Sequence, residues 1–140
     1  MEHTNDFYIL FPYTARILAS VNEPAEKRLA IINDIKKDNP TYKFGIDMVG
    51  KYIQIVDPFG VIKIMRIRGI GINKDSSAYY IVGDAFVCPR NSKKFYFEPK
   101  HQVYIDCLFG AKDLRSYPAK EFKMWFVKEF GKDFIRSLDI

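Results

Sequence analysis

The spacing of apolar residues changes twice along the chain, near residue 44 and near residue 116. Before the first change, the run Phe7, Tyr8, Ile9, Leu10, Phe11 is strongly apolar and stops at Pro12. A short helix would fit, but a buried strand is the expectation. From Asn22 to Asp38 the spacing is helical: Leu29, Ile32 and Ile35 recur on one face with Ile31 beside them, leaving Lys27, Arg28, Lys36 and Lys37 to water. Asn22 suits a cap, Pro24 a first turn, and Glu23 and Glu26 the positive helix end, while Asn39 and Pro40 close the segment.

From Phe44 to Phe109 short β-branched and aromatic runs are divided by turn residues. Asp57-Pro58-Phe59-Gly60 has the chemistry of a type I turn and should join a strand at Tyr52–Val56 to one at Val61–Ile67. Gly69 and Gly71 then predict a bulge or bend. A polar turn at Asn73–Ser77, a strand at Ala78–Val87, a turn at Pro89–Ser92 and a strand at Lys94–Phe97 follow, and Pro99 and Lys100 read as the last tight connection. The final strand sets Val103, Ile105 and Cys107 against Gln102, Tyr104 and Asp106. Such short connections require antiparallel pairing. Beyond Ser116 a helix is expected towards Leu138, its stripe of Phe122, Phe126, Phe130, Phe134 and Leu138, with Trp125 alongside, packing on the sheet. Gly131 should weaken that helix by about 1 kcal/mol. The fold class is therefore α+β, a curved antiparallel β-sheet or small barrel flanked by an N-terminal and a C-terminal helix. It forms one domain over 1–140: helical to about 43, β-rich over about 44–110, and helical over about 116–138.

Composition narrows the class further. Hydrophobic residues make up 48% of the 140 positions and aromatics 16%, too much for a disordered chain. No apolar stretch is long enough to span a membrane, and Glu2, His3 and Asp6 stand where a signal peptide would be basic, so a cytoplasmic location without membrane contact is expected. Cys88 and Cys107 read as buried thiols. His3 lies near the N-terminus and His101 in a turn, so no histidine pair sits at the helical or strand spacing that would bind one ion, and combining His101 with either cysteine and a carboxylate needs no more than chance, so neither metal, cofactor nor catalysis is expected.

Charge points to binding instead. Residues 51–115 hold 11 basic and 6 acidic side chains, whereas 1–50 hold 6 and 7 and 116–140 hold 5 and 4, so the net +5 resides in the middle segment. Arg66 and Arg68 should share a strand face, and Arg90, Lys93, Lys94 and Lys100 gather around Tyr96. Cations beside flat rings suit single-stranded nucleic acid or an anionic, nucleotide-like ligand. The bland alternative is that these charges guard sheet edges and turns.

Two runs in this segment carry a resemblance. Ala78-Tyr79-Tyr80-Ile81 resembles the naming strand of the WYL domain, and Lys93-Lys94-Phe95-Tyr96-Phe97 resembles the strand that follows it. The resemblance covers residues 52–107 and implies a small SH3-like barrel serving as an anion-sensing or nucleic-acid-associated module, with Arg66, Arg68, Lys93 and Tyr96 at matching or neighbouring positions. A second reading is a small protein of viral or mobile-element origin that binds or inhibits a larger protein through an exposed edge or aromatic patch.

Overall fold

The computed structural model describes residues 4–132. In chain order its elements are β1 (Thr4–Asn5), α1 (Phe7–Leu10), α2 (Pro12–Ala19), α3 (Ala25–Asp38), β2 (Tyr52–Val56), β3 (Ile62–Ile72), β4 (Tyr79–Cys88), β5 (Tyr96–Tyr104), α4 (Ile105–Phe109), β6 (Asp113–Ser116) and α5 (Ala119–Phe130). The six strands form one sheet in the order β1-β6-β2-β3-β4-β5. All pairs are antiparallel except the two-residue β1, which runs parallel to β6. Because β1 and β5 remain as edges, the sheet is open and no barrel closes.

Alternation sorts the strand residues onto two faces. Ile53, Ile55, Met65, Ile67, Ile81, Ala85, Val87 and Val103 face the larger core, where Phe7, Leu10, Phe11, Ala15, Met48 and Leu108 cover them. On the opposite face Ile64 and Phe86 meet Phe122 and Phe126 of α5. Phe86 is the centre of that smaller core, with the rings of Phe97, Phe122, Trp125 and Phe126 all between 5.2 and 5.6 Å from it. The central strands are thus apolar on both sides, and the aromatic stripe of the C-terminal helix packs on its own sheet.

The N-terminal run is helical, not extended. Phe7, Leu10, Phe11, Thr14 and Ala15 are the buried positions, a 3.6-residue period that continues through Pro12. Asn5 starts the first turn by accepting the Phe7 N–H at 3.0 Å, and Pro12 opens α2, where its missing N–H costs nothing. The α2 N-terminus is capped from a distance: Asp47 Oδ2 accepts the N–H groups of Tyr13 and Thr14 at 2.8 and 3.1 Å, and the Thr14 hydroxyl donates to Oδ1 at 2.6 Å. The next helix begins at Ala25 after Pro24, so Asn22 lies outside it and caps nothing. Of its apolar stripe only Ile35 is fully buried, and Leu29 is 57% exposed. A 2.7 Å Arg16–Asp34 ion pair ties α3 to α2.

In the middle segment the Asp57 turn forms as read: Gly60 N–H donates to the Asp57 carbonyl at 3.1 Å. Residues 44–50 form turns, and the next strand begins at Tyr52. The β3 register shifts between Ile67 and Gly69, so Arg68 is the extra residue of a bulge and the strand continues to Ile72. Pro99 and Lys100 are also a bulge, not a turn. Gly83 faces His101 and Ala85 faces Glu98, so three steps on β5 match two on β4, with Lys100 at φ 55°. The strand expected over 102–107 ends at Tyr104. Ile105 and Leu108, three apart, are buried in the helical turn α4, which leaves Cys107 exposed while Cys88 is buried. The sequence reading missed β6 altogether. Helix α5 stops at Gly131, at φ 87°, and Phe134 and Leu138 lie outside the described residues. No helix among the described residues is long and apolar enough to cross a membrane.

The β3 bulge presses its backbone onto Gly83, where an added Cβ would stand 1.8 Å from the Arg66 carbonyl oxygen. Because both partners are backbone, neither yields cheaply. Gly83→Ala should therefore lower stability by about 3 kcal/mol, the upper part of the usual overpacking range, in a urea denaturation series. A loss under about 0.5 kcal/mol, the scale of ordinary surface substitutions, would show that the ladder yields at this point.

Candidate functional site

The basic and aromatic residues singled out in the sequence separate into three groups. Arg66 and Arg68 do project from the α5 side of the sheet, but both are engaged there. Arg66 stands opposite Tyr52 and Asp84, its guanidinium 5.9 Å from the Tyr52 ring centre, and Arg68 Nε donates to the Asp84 carboxylate. Tyr96 pairs with Val87, which belongs to the other face, so it points away from both arginines. Lys100 occupies the β5 bulge at the sheet edge. Arg90, Lys93 and Lys94 are exposed together in the loop joining β4 to β5.

That loop has neighbours the sequence did not disclose. Pairing of Ile62 with Cys88, of Val87 with Tyr96 and of Val56 with Asp113 brings the β2–β3 turn, the β4–β5 loop and the α4–β6 connection to one end of the sheet. The start of α1 joins them, since Asp6 N–H donates to the Leu114 carbonyl at 2.9 Å. The Asn5 amide donates to the carbonyls of Leu108, Phe109 and Ala111, pinning α4 beside α1. Phe109 then stacks on Phe7, centroids 4.2 Å apart and planes 25° from parallel, with the Tyr8 ring at its edge. Tyr8 and Phe59 are 59% and 71% exposed. An open groove of about 680 Å³ runs between Tyr8, Phe109, Pro58 and Lys112. Phe59 carried the one signal available in advance, a large ring in a tight turn that ordinarily holds polar residues.

A second cavity, about 350 Å³, lies under the same turn on the larger-core face. Ile55, Phe59 and Val103 give it apolar walls, and Lys63 and Cys107 give it polar groups. Nearby, His101 Nδ1 stands 3.0 Å from Glu98 Oε1, and His101 is not part of the cavity wall. No cluster of three or more His, Cys, Asp or Glu side chains suited to a metal occurs among the described residues. Comparison of the chain with protein-family models, with curated proteins and with solved structures finds no match in any of the three.

The His101 imidazole, 3.0 Å away, more than the weaker pull of Tyr96 and Lys63, holds the Glu98 carboxyl below its ordinary range. A depressed folded value means that the stability it contributes is present above the unfolded Glu value of about 4.3 and is lost as pH falls through the folded value. The Glu98 side chain is 41% exposed, so solvent screening limits the effect to under about 1 kcal/mol. Glu98→Gln should melt below the wild type at pH 6, and the two melting curves should converge under acid. A gap that persists unchanged to pH 2.5, roughly two units below the free carboxyl, would show the pair to be unimportant.

Proposed function

We propose that this chain is a non-enzymatic binding module that holds single-stranded nucleic acid against the turn end of its sheet. Phosphates meet Arg90, Lys93 and Lys94, and bases stack on Tyr8, Phe59 and Phe109. One observation carries this reading: segments far apart in sequence deliver exposed rings and exposed cations to the same end of the molecule. Rings accept any base face and a flexible basic loop follows any backbone, so the arrangement favours binding without a strong sequence preference. The WYL-like stretch supports an anion-recognising role, and Lys93 is the one of its four expected positions that lies among the loop cations. Arg66 and Arg68 leave the proposed site, since one is engaged with Tyr52 and the other with Asp84.

Ile9 favours a second reading, a protein partner docked in the same groove. It is 78% exposed beside Tyr8, and its aliphatic chain offers contact to a protein side chain but no stacking surface to a base.

Fluorescence anisotropy with a labelled oligothymidylate separates the two. Affinity should fall steeply with salt, and each of Arg90→Ala, Lys93→Ala and Lys94→Ala should lessen the log–log slope by about 0.7. Phe59→Ala should cost about 1–3 kcal/mol of binding, whereas Arg68→Ala should leave it unchanged. Absence of binding at roughly 50 mM salt, where electrostatic attraction is strong, would end the nucleic-acid reading. Recovery of one host protein by the wild type, but not by Phe59→Ala or Ile9→Asp, would then establish the second.

A further inference from the structure

We propose that the cavity beneath the β2–β3 turn is a binding site for a small anionic ligand with a flat apolar body, and that Lys63 supplies the counter-charge. The starting observation is the placement of Lys63 itself. In the cross-strand row on the larger-core face its partners are Ile55 and Val87, both buried and apolar, so a lysine interrupts a hydrophobic row in a central strand. A buried or half-buried cation is informative in a way that an exposed one is not, because it has surrendered part of its hydration. Among the described residues no carboxylate lies within 4.0 Å of the Lys63 ammonium to make up that loss. Glu98 is near enough to feel its charge but is held by His101.

The surroundings define what would complete the site. A volume of about 350 Å³ suits a small molecule of one or two rings, and Ile55, Phe59 and Val103 form apolar walls for it. Asp57 also borders the cavity, but its Oδ1 is committed to the Phe59 and Val61 N–H groups at 2.8 and 3.0 Å, which satisfies part of its charge within the turn. Lys63 remains to meet an acidic group. Nucleoside monophosphates and aromatic carboxylates share this chemistry. This inference does not require that the sheet end bind oligonucleotides.

Cys107 in the cavity wall makes the test direct, because the other cysteine, Cys88, is 4% exposed. The rate at which Cys107 reacts with the neutral reagent 4,4′-dithiodipyridine reads occupancy through the released thiopyridone. Adenosine 5′-monophosphate and indole-3-acetate are the two probes, with adenosine and indole as uncharged counterparts. At least one anion should slow the reaction in a saturable manner while its counterpart does not, and whichever protects identifies the source of the acidic group. Lys63→Met should raise the protection constant about tenfold, the loss of one charge-assisted contact, and Lys63→Arg should restore it. Failure of both anions to protect, equal protection by the uncharged compounds, or undiminished protection in Lys63→Met would overturn the proposal. Oligonucleotide anisotropy on the same samples is read independently, so either result can fail without the other.

Discussion

In ten cross-strand pairs, from Ile62 opposite Cys88 to Ile72 opposite Tyr79, β3 and β4 form the longest ladder of the sheet, and both cores are built on it. Met65 and Ala85 turn to the face covered by α1, α2 and Met48, while Ile64 and Phe86 turn to the face covered by α5. A strand pair buried on both sides cannot slip by one residue without exchanging the two apolar sets, and the sets differ in size and shape. The larger-core strand set is aliphatic throughout, whereas the smaller one is built around the Phe86 ring with Ile64 beside it. Register in this one ladder therefore decides which helix covers which face.

What the chain disclosed in advance was local chemistry. The Asp57 turn was legible because proline and glycine limit the backbone within four residues, and its prediction required nothing distant. The bulge at Gly69 was legible for the same reason. Misreadings arose where a pattern fitted two periods at once or where a partner lay far away. Phe7 to Phe11 is apolar throughout, so period alone could not separate strand from helix until Thr14 and Ala15 were seen to extend the buried face. Val103 and Ile105 alternate as a strand does, yet Ile105 and Leu108 belong to a helical turn. Strand β6 has four residues and only one buried side chain, Leu114, too few for any periodicity.

The candidate surface was half legible. The basic loop could be read from residues 90–94, because loop cations stay exposed whatever the fold. Arg66 and Arg68 could not be judged from sequence, since the residue that binds Arg68, Asp84, is sixteen positions away and meets it through a bulge. The rings of Tyr8 and Phe109 were equally hidden: each belongs to an apolar run that reads as core, and each emerges only because its segment turned out helical. Exposure in this protein follows from which period the backbone adopts.

The attachment of the N-terminal segment carries a consequence for biosynthesis. Asn5 donates to carbonyls 103, 104 and 106 residues further on, and among the described residues β1 pairs with β6 alone. Helix α2 in turn relies on a carboxylate supplied by Asp47. While the ribosome is still making the middle strands, the earliest residues can reach one another, Asp47 and Met48 but not the sheet or α4, and Phe7, Leu10 and Phe11 must wait with most of their apolar faces unsheltered. Closure of such distant contacts is slow because loop entropy is lost before any bond is gained. A nascent chain of this design depends on residues 108–114 to hide residues 5–11, which makes the interval before residue 114 emerges the period of greatest exposure of this segment to chaperones and proteases.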